Sequence, residues 1–297
     1  MLLGACTSGS GSSAQEPAGS ASAAAPSTPS ASAPTAAPVP TPTPTPTPTS
    51  PVHASLLEAD GSTYGVGMPI IMRFDVAVTD KTALQQAATV RVNGAPVDGA
   101  WYWFTPTEAH YRPAQFWPAH ATITLDAPLA GRSAGPGLSY DDSLTLEMHT
   151  GPANVSTVDA QTLQMTVSSD GAVVRTIPVS LGKAETPTFN GIKVIEEKVE
   201  LEHMVGPGYD EMVPWSLRIT NSGEYVHAAA WNSQIGSAST SNGCTNLSPD
   251  DAKWMFDFSR IGDVVQYPNA AGATMPSWDG YGDWNLDWAT WRAGGAL

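Results

Sequence analysis

The chain has 297 residues, with 28 acidic against 13 basic side chains and a formal net charge of −15. That balance offers no basic face to neutralise phosphates and excludes a nucleic-acid binder. Two cysteines are too few for a disulfide scaffold, and the sequence has no apolar run of about 20 residues of the kind a polytopic membrane protein needs.

Residues 1–51 are almost entirely Ala, Ser, Thr, Pro and Gly, with Glu16 as the only charged side chain and no Phe, Tyr or Trp before Tyr64. Such a stretch buries too little apolar surface to offset chain entropy. Its Thr-Pro run from Thr41 to Pro48 favours extended polyproline II, so a semi-rigid tether is expected. At its head, Leu3-Gly4-Ala5-Cys6 resembles the lipobox of bacterial lipoprotein signals, in which the Cys is acylated. Only Met1 to Leu3 precede the box, where a signal would carry basic and apolar regions, so a truncated start is expected. The resemblance implies a lipid on Cys6 and an exported protein held at the outer face of the cytoplasmic membrane, in the cell wall. Cys244 then has no disulfide partner, and an unpaired thiol in an exported protein is either reactive or a buried structural residue.

Residues 52–151 predict an immunoglobulin-like β-sandwich. Short runs rich in β-branched and aromatic residues recur at Pro69–Val78, Thr89–Val92, Ala100–Phe104, Ala109–Arg112, Ala121–Asp126 and Ser143–Met148. Turn residues such as Asn93-Gly94 and Asp98-Gly99 separate them. His53, His110, His120 and His149 are scattered singly and read as surface or edge-strand residues. This region is expected to act as a spacer or docking platform.

From residue 152 to about 270 a second mainly β domain is expected. Asp170-Gly171 between two alternating runs signals a hairpin, and further strands are predicted at Gly191–Ile195, Lys198–Glu202, Ser216–Thr220, Tyr225–Ala230 and Asp263–Tyr267. One substantial helix is signalled by Ser248 as cap, Pro249 at the first position and Asp250 and Asp251 in the first turn, with Ala252, Met255, Phe256 and Ser259 inward. Glu196, Glu200 and Glu202 share one strand face and read as a solvated edge instead of metal ligands. The Trp-rich tail 271–297 is expected to pack on this second domain.

The candidate chemistry lies between the Tyr225 strand and the helix. His227 sits on the strand, and Ser241-Asn-Gly-Cys-Thr-Asn246 puts Cys244 in a turn ahead of the helix. A thiol near a helix start and within reach of an imidazole is expected to have a lowered pKa. Gly243 would let the backbone N–H groups converge on an oxyanion. Spacing alone leaves a packed Cys and an unrelated His as the alternative.

These residues resemble the His-x(n)-Ser-His-Gly-Cys-x-Asn signature of L,D-transpeptidases, the YkuD-type catalytic domain. Thr186-Pro187 with Asn190-Gly191 is similar to the family's substrate-side turn, and Ala100-Trp-Tyr-Trp-Phe104 and the tail Asp279–Gly294 are similar to actinobacterial and mycobacterial members. The resemblance implies an acyltransferase without metal or other cofactor, which joins tetrapeptide stems of peptidoglycan by 3→3 cross-links through a thioester on Cys244. It implies His227 as base, the carbonyl of Ala228 as its orienting partner, the N–H groups of Gly243 and Cys244 as oxyanion donors, and Tyr209, Trp231 and Asn246 at the site wall. It also implies β-lactams of the carbapenem type as covalent inhibitors.

Two departures stand out. Asn242 occupies the signature's His position, which changes the polarity of the site, and the segment Met204 to Tyr209 is shorter than the covering loop of relatives, which leaves the site more open. A papain-like endopeptidase is disfavoured because His227 precedes Cys244. The alternative from another class is a catalytically weak or inactive wall-binding lipoprotein of the same fold.

Overall fold

A computed structural model of the chain describes residues 49–206 and 209–295, so Cys6 and nearly all of the expected tether lie outside the described residues. The first strand, Ser50–Val52, begins within the stretch read as tether and pairs with Leu138–Tyr140. Val52 is fully buried, because the alternating pattern of a sandwich strand has already started there.

The immunoglobulin-like module is built of two main sheets. One has the order Ala54–Leu56, Ile70–Phe74, Glu108–Pro113, Gly99–Thr105; the other has Thr63–Tyr64, Leu144–Thr150, Thr122–Ala127, Thr89–Val92, Ala95–Pro96. Alternate residues of their strands, among them Met72, Trp101, Trp103, Ile123 and Leu146, fill the core between them. Asn93-Gly94 turns with both residues at positive φ, the conformation that a two-residue hairpin needs.

The second module contains a five-stranded sheet in the order Ala172–Pro178, Gln164–Ser169, Asn154–Asp159, Val264–Tyr267, Gly191–Val194. A four-stranded sheet follows in the order Glu197–Gly206, Tyr209–Arg218, Tyr225–Ala228, Thr245–Leu247. Its last pair is parallel, with His227 beside Asn246, so residues 225, 227, 244 and 246 share one face. The helix Pro249–Phe258 begins as the sequence predicts: Ser248 Oγ accepts the Asp251 N–H at 3.2 Å, and Ala252 and Met255 are buried. Glu197–Gly206 and Tyr209–Arg218 form a long hairpin closed at Gly206 and Tyr209, with Leu201, Val205 and Met212 exposed.

The tail reaches beyond the second domain. Arg112, from the first module, lies over the rings of Trp291 at 4.3 Å and Trp284 at 4.7 Å, and Trp291 Nε1 donates to Ala100 O at 2.8 Å. Asn285 meanwhile holds both backbone groups of Ile192 in the second module. A side chain on Gly65 would meet the Gly262 and Asp263 backbone at 2.1 Å, so only glycine lets the modules approach there.

His110 and Glu196 depart from the sequence reading. His110 is buried, with Nδ1 2.8 Å from Asp283 and Nε2 3.2 Å from Glu108. Burial alone would lower its pKa, but the two carboxylates hold it up at about 9. Glu196 accepts the Tyr281 N–H from the tail, and burial pushes its carboxyl up to about 7, so it is no solvated edge.

Candidate active site

A cavity of about 680 Å³ opens where the Tyr225–Ala228 and Thr245–Leu247 strands meet the long hairpin. Cys244, His227, Asn242, Asn246, Tyr209 and Trp231 all line it, so residues dispersed over nearly forty positions of sequence converge on one space. Trp231 is 59% exposed, with its ring stacked toward His227 at 6.2 Å between centroids.

His227 is buried, and its Nδ1 donates to the Ala228 carbonyl at 2.7 Å. A carbonyl can only accept, so Nδ1 carries the proton and Nε2 keeps its lone pair. Asn246 Nδ2 donates to that Nε2 at 3.1 Å, and Asn232 Nδ2 in turn donates to Asn246 Oδ1 at 3.0 Å. Burial lowers the imidazole pKa to about 4, and no carboxylate opposes it, so this histidine is neutral near pH 7.

Cys244 turns its thiol toward Gly223, whose carbonyl lies 3.7 Å from Sγ. Burial pushes the thiol up to about 11, which corrects the expectation of a lowered pKa. The strand Thr245–Leu247 separates Cys244 from the helix, so burial outweighs the dipole. The resting pair is therefore a thiol and a neutral imidazole, each hydrogen-bonded elsewhere.

Gly243 has φ of 118°, which favours glycine, and its N–H donates to Ser241 Oγ at 3.2 Å. The expected oxyanion donor is thus held within the loop at rest. Ser241 Oγ also donates to the Cys244 carbonyl at 2.6 Å, and Thr188 Oγ1 donates to the Gly243 carbonyl at 2.7 Å. Asn242 Oδ1 accepts from Lys183 Nζ at 2.7 Å, so an ammonium group stands beside the position where the signature has His.

Sequence reasoning included Ser241 in the signature without giving it a role, and it missed Thr188 and Asn232 as parts of this framework and the buried pair Lys193 and Glu224 beneath it. Gly191–Val194 is the edge strand of its sheet, where a lysine reads as solvent-facing, so the sequence carried no local signal of the pair. Among the described residues, no three His, Cys, Asp or Glu side chains are placed to hold a metal ion, and no helix is long and apolar enough to cross a membrane.

Fold and sequence together define a two-module protein, an immunoglobulin-like domain followed by an L,D-transpeptidase catalytic domain. Residues 153–266 match the L,D-transpeptidase catalytic domain family, and residues 28–133 match the bacterial Ig domain family, of which 28–48 lie outside the described residues. The chain belongs to the L,D-transpeptidase family: it is 31% identical to L,D-transpeptidase 1 of Mycobacterium tuberculosis (strain H37Rv) over 228 residues, covering 73% of this chain and 84% of that protein. It is 35% identical to L,D-transpeptidase 2 of the same species (strain CDC 1551) over 263 residues, which is 83% of this chain but only 64% of that relative's length. The solved structure of the L,D-transpeptidase LdtMt1 with imipenem is similar with a TM-score of 0.63 at 30% identity, covering 75% of this chain and all of that one.

Proposed function

We propose that this protein is a peptidoglycan L,D-transpeptidase that forms 3→3 cross-links through a thioester on Cys244. The observation that carries the reading is the His227 Nδ1 to Ala228 carbonyl bond, which leaves Nε2 as a neutral base inside the cavity that Cys244 lines. In the first step Nε2 takes the thiol proton and sulfur attacks the carbonyl between the third residue and the D-Ala at position four. His227 returns the proton to the leaving amine, and D-Ala departs. In the second step the side-chain amine of a neighbouring stem attacks the thioester, its proton passes through His227, and the Cys244 thiol is restored. The resting bonds of Cys244 to Gly223 and of His227 to Asn246 give way as substrate enters and the thiol–imidazole contact tightens.

The backbone N–H of Cys244, joined by that of Gly243 once released from Ser241, would receive the oxyanion. Tyr209, Trp231 and Asn246 would position the stem. A carbapenem would acylate the same sulfur, in keeping with the imipenem complex of the relative. Export, a lipid on Cys6 and the tether would hold the domain within reach of the wall. Mass spectrometry of the protein with a carbapenem, then with a purified tetrapeptide stem, tests the reading. An adduct on Cys244 and release of D-Ala are expected, with neither in Cys244→Ala; a natural chain that forms no adduct would leave the inactive wall-binding reading in its place.

A further inference from the structure

Beneath the cavity, Lys193 is fully buried and forms an ion pair with Glu224, itself only 7% exposed. A buried pair is commonly no more stabilising than apolar residues of the same volume, so stability does not explain two charges at this place. Their contacts do. Glu224 Oε1 accepts the Phe189 N–H at 2.7 Å and lies 3.7 Å from where a Cβ on Gly243 would stand, directly before Cys244. Lys193 Nζ rests 3.9 Å from the centre of the Tyr267 ring, and the Tyr267 hydroxyl meets Thr245 Oγ1 at 2.7 Å, directly after Cys244. Phe189 adjoins Thr188, whose hydroxyl holds the Gly243 carbonyl. The pair therefore reaches both sequence neighbours of the thiol.

We propose that Lys193 and Glu224 are positioning residues for the Cys244 loop, together holding its backbone on both sides and balancing the charge that its sulfur meets. The inference rests on the reading of Cys244 as the reacting group. The other titratable groups that face the pair are Cys244, Tyr267 and Asp279. Burial pushes Lys193 down and Glu224 up, and their mutual attraction opposes both changes. Lys193 favours the thiolate and Glu224 disfavours it, so removing one charge at a time acts on the sulfur with opposite sign.

The test is alkylation of Cys244 by iodoacetamide at pH 8 in the full chain, read on the Cys244 peptide by mass spectrometry. Glu224→Gln keeps an acceptor for the Phe189 N–H and should raise the rate about tenfold, while Lys193→Met should lower it about tenfold. A change in the same direction for both, as a merely loosened loop would give, or rates within about twofold of the natural chain, would overturn the proposal. Where a single variant does not fold, the double variant Lys193→Met/Glu224→Leu decides. It should fold, because both charges are gone, yet its acylation by a carbapenem should fall at least about tenfold. Unchanged acylation, or failure to fold, would make the pair a stability element only and sink the inference. Alkylation does not require Cys244 to be an acyl acceptor, so a natural chain that alkylates but resists carbapenem would remove the transpeptidase reading without touching the rate comparison.

Discussion

Two histidines, His110 in the first module and His227 in the second, are each 3% exposed, yet their proton affinities lie on opposite sides of neutrality. His110 stands between Asp283 and Glu108 and is held at about 9; His227 has a carbonyl and an amide for partners and falls to about 4. Burial is the same, so the partners decide. Carboxylates turn a buried imidazole into a fixed cation that joins the tail to the first module, whereas neutral dipoles leave an unprotonated base facing a cavity.

Removing each ring separates the two roles. His227→Gln should lower carbapenem acylation by about 10²–10⁴ with little change in melting temperature, because the loss is that of a general base. A thermal melt and an acylation time course check both halves. His110→Gln should do the reverse, keeping acylation within about threefold and costing about 3–5 kcal/mol, near a 10 °C fall in melting temperature, because Asp283 is left buried without its cation.

Giving His227 a carboxylate should make it behave more like His110. In Asn246→Asp the new carboxylate would lie within hydrogen-bond reach of Nε2, and the imidazole midpoint should rise from about 4 to about 6. The acid limb of the acylation profile would move up by about two pH units, and a limb that stays in place would contradict the assignment of Asn246.

Linkage gives a milder test. The folded value of His110, about 9, exceeds its ordinary 6.5, so its stabilising contribution is complete below pH 6.5 and is lost as pH rises through 9. Glu58, raised by burial from 4.5 to about 7, acts in the same direction over pH 4.5 to 7. His227, lowered to about 4, acts the other way over pH 4 to 6.5, so the expected signature is a fall in melting temperature from pH 6.5 to pH 9.5 that is reduced in His110→Gln. The smallest effect is expected of Asn242→His, which should extend acylation toward lower pH and change the rate at pH 8 only modestly, since Lys183 already supplies a cation beside that position.

What the sequence revealed and what it hid follow the same division. His227, Cys244 and Asn246 were legible because they lie on two adjoining strands and a short turn, and the helix was legible because Ser248, Pro249 and the acidic first turn are local signals. His110 was misread because its decisive partner, Asp283, is 173 residues away. Lys193 and Glu224 escaped notice for a similar reason. A single charge in a β-run reads as an outward-facing residue until its neighbours in space are known, and Lys193 is met by Glu224 and by the ring of Tyr267 on the adjoining strand. The lowered thiol pKa expected from the nearby helix failed because proximity in sequence hid an intervening strand. The tail's hold on Arg112 likewise depends on pairing across the two modules, which no local pattern carries.

The most direct test is an NMR titration of the imidazole resonances in the full chain, assigned by His110→Gln and His227→Gln. The account predicts a midpoint near 9 for His110 and near 4 for His227, with His227 protonated at Nδ1 at neutral pH. Midpoints for both near the ordinary 6.5, or a His227 that is charged at pH 7, would contradict it.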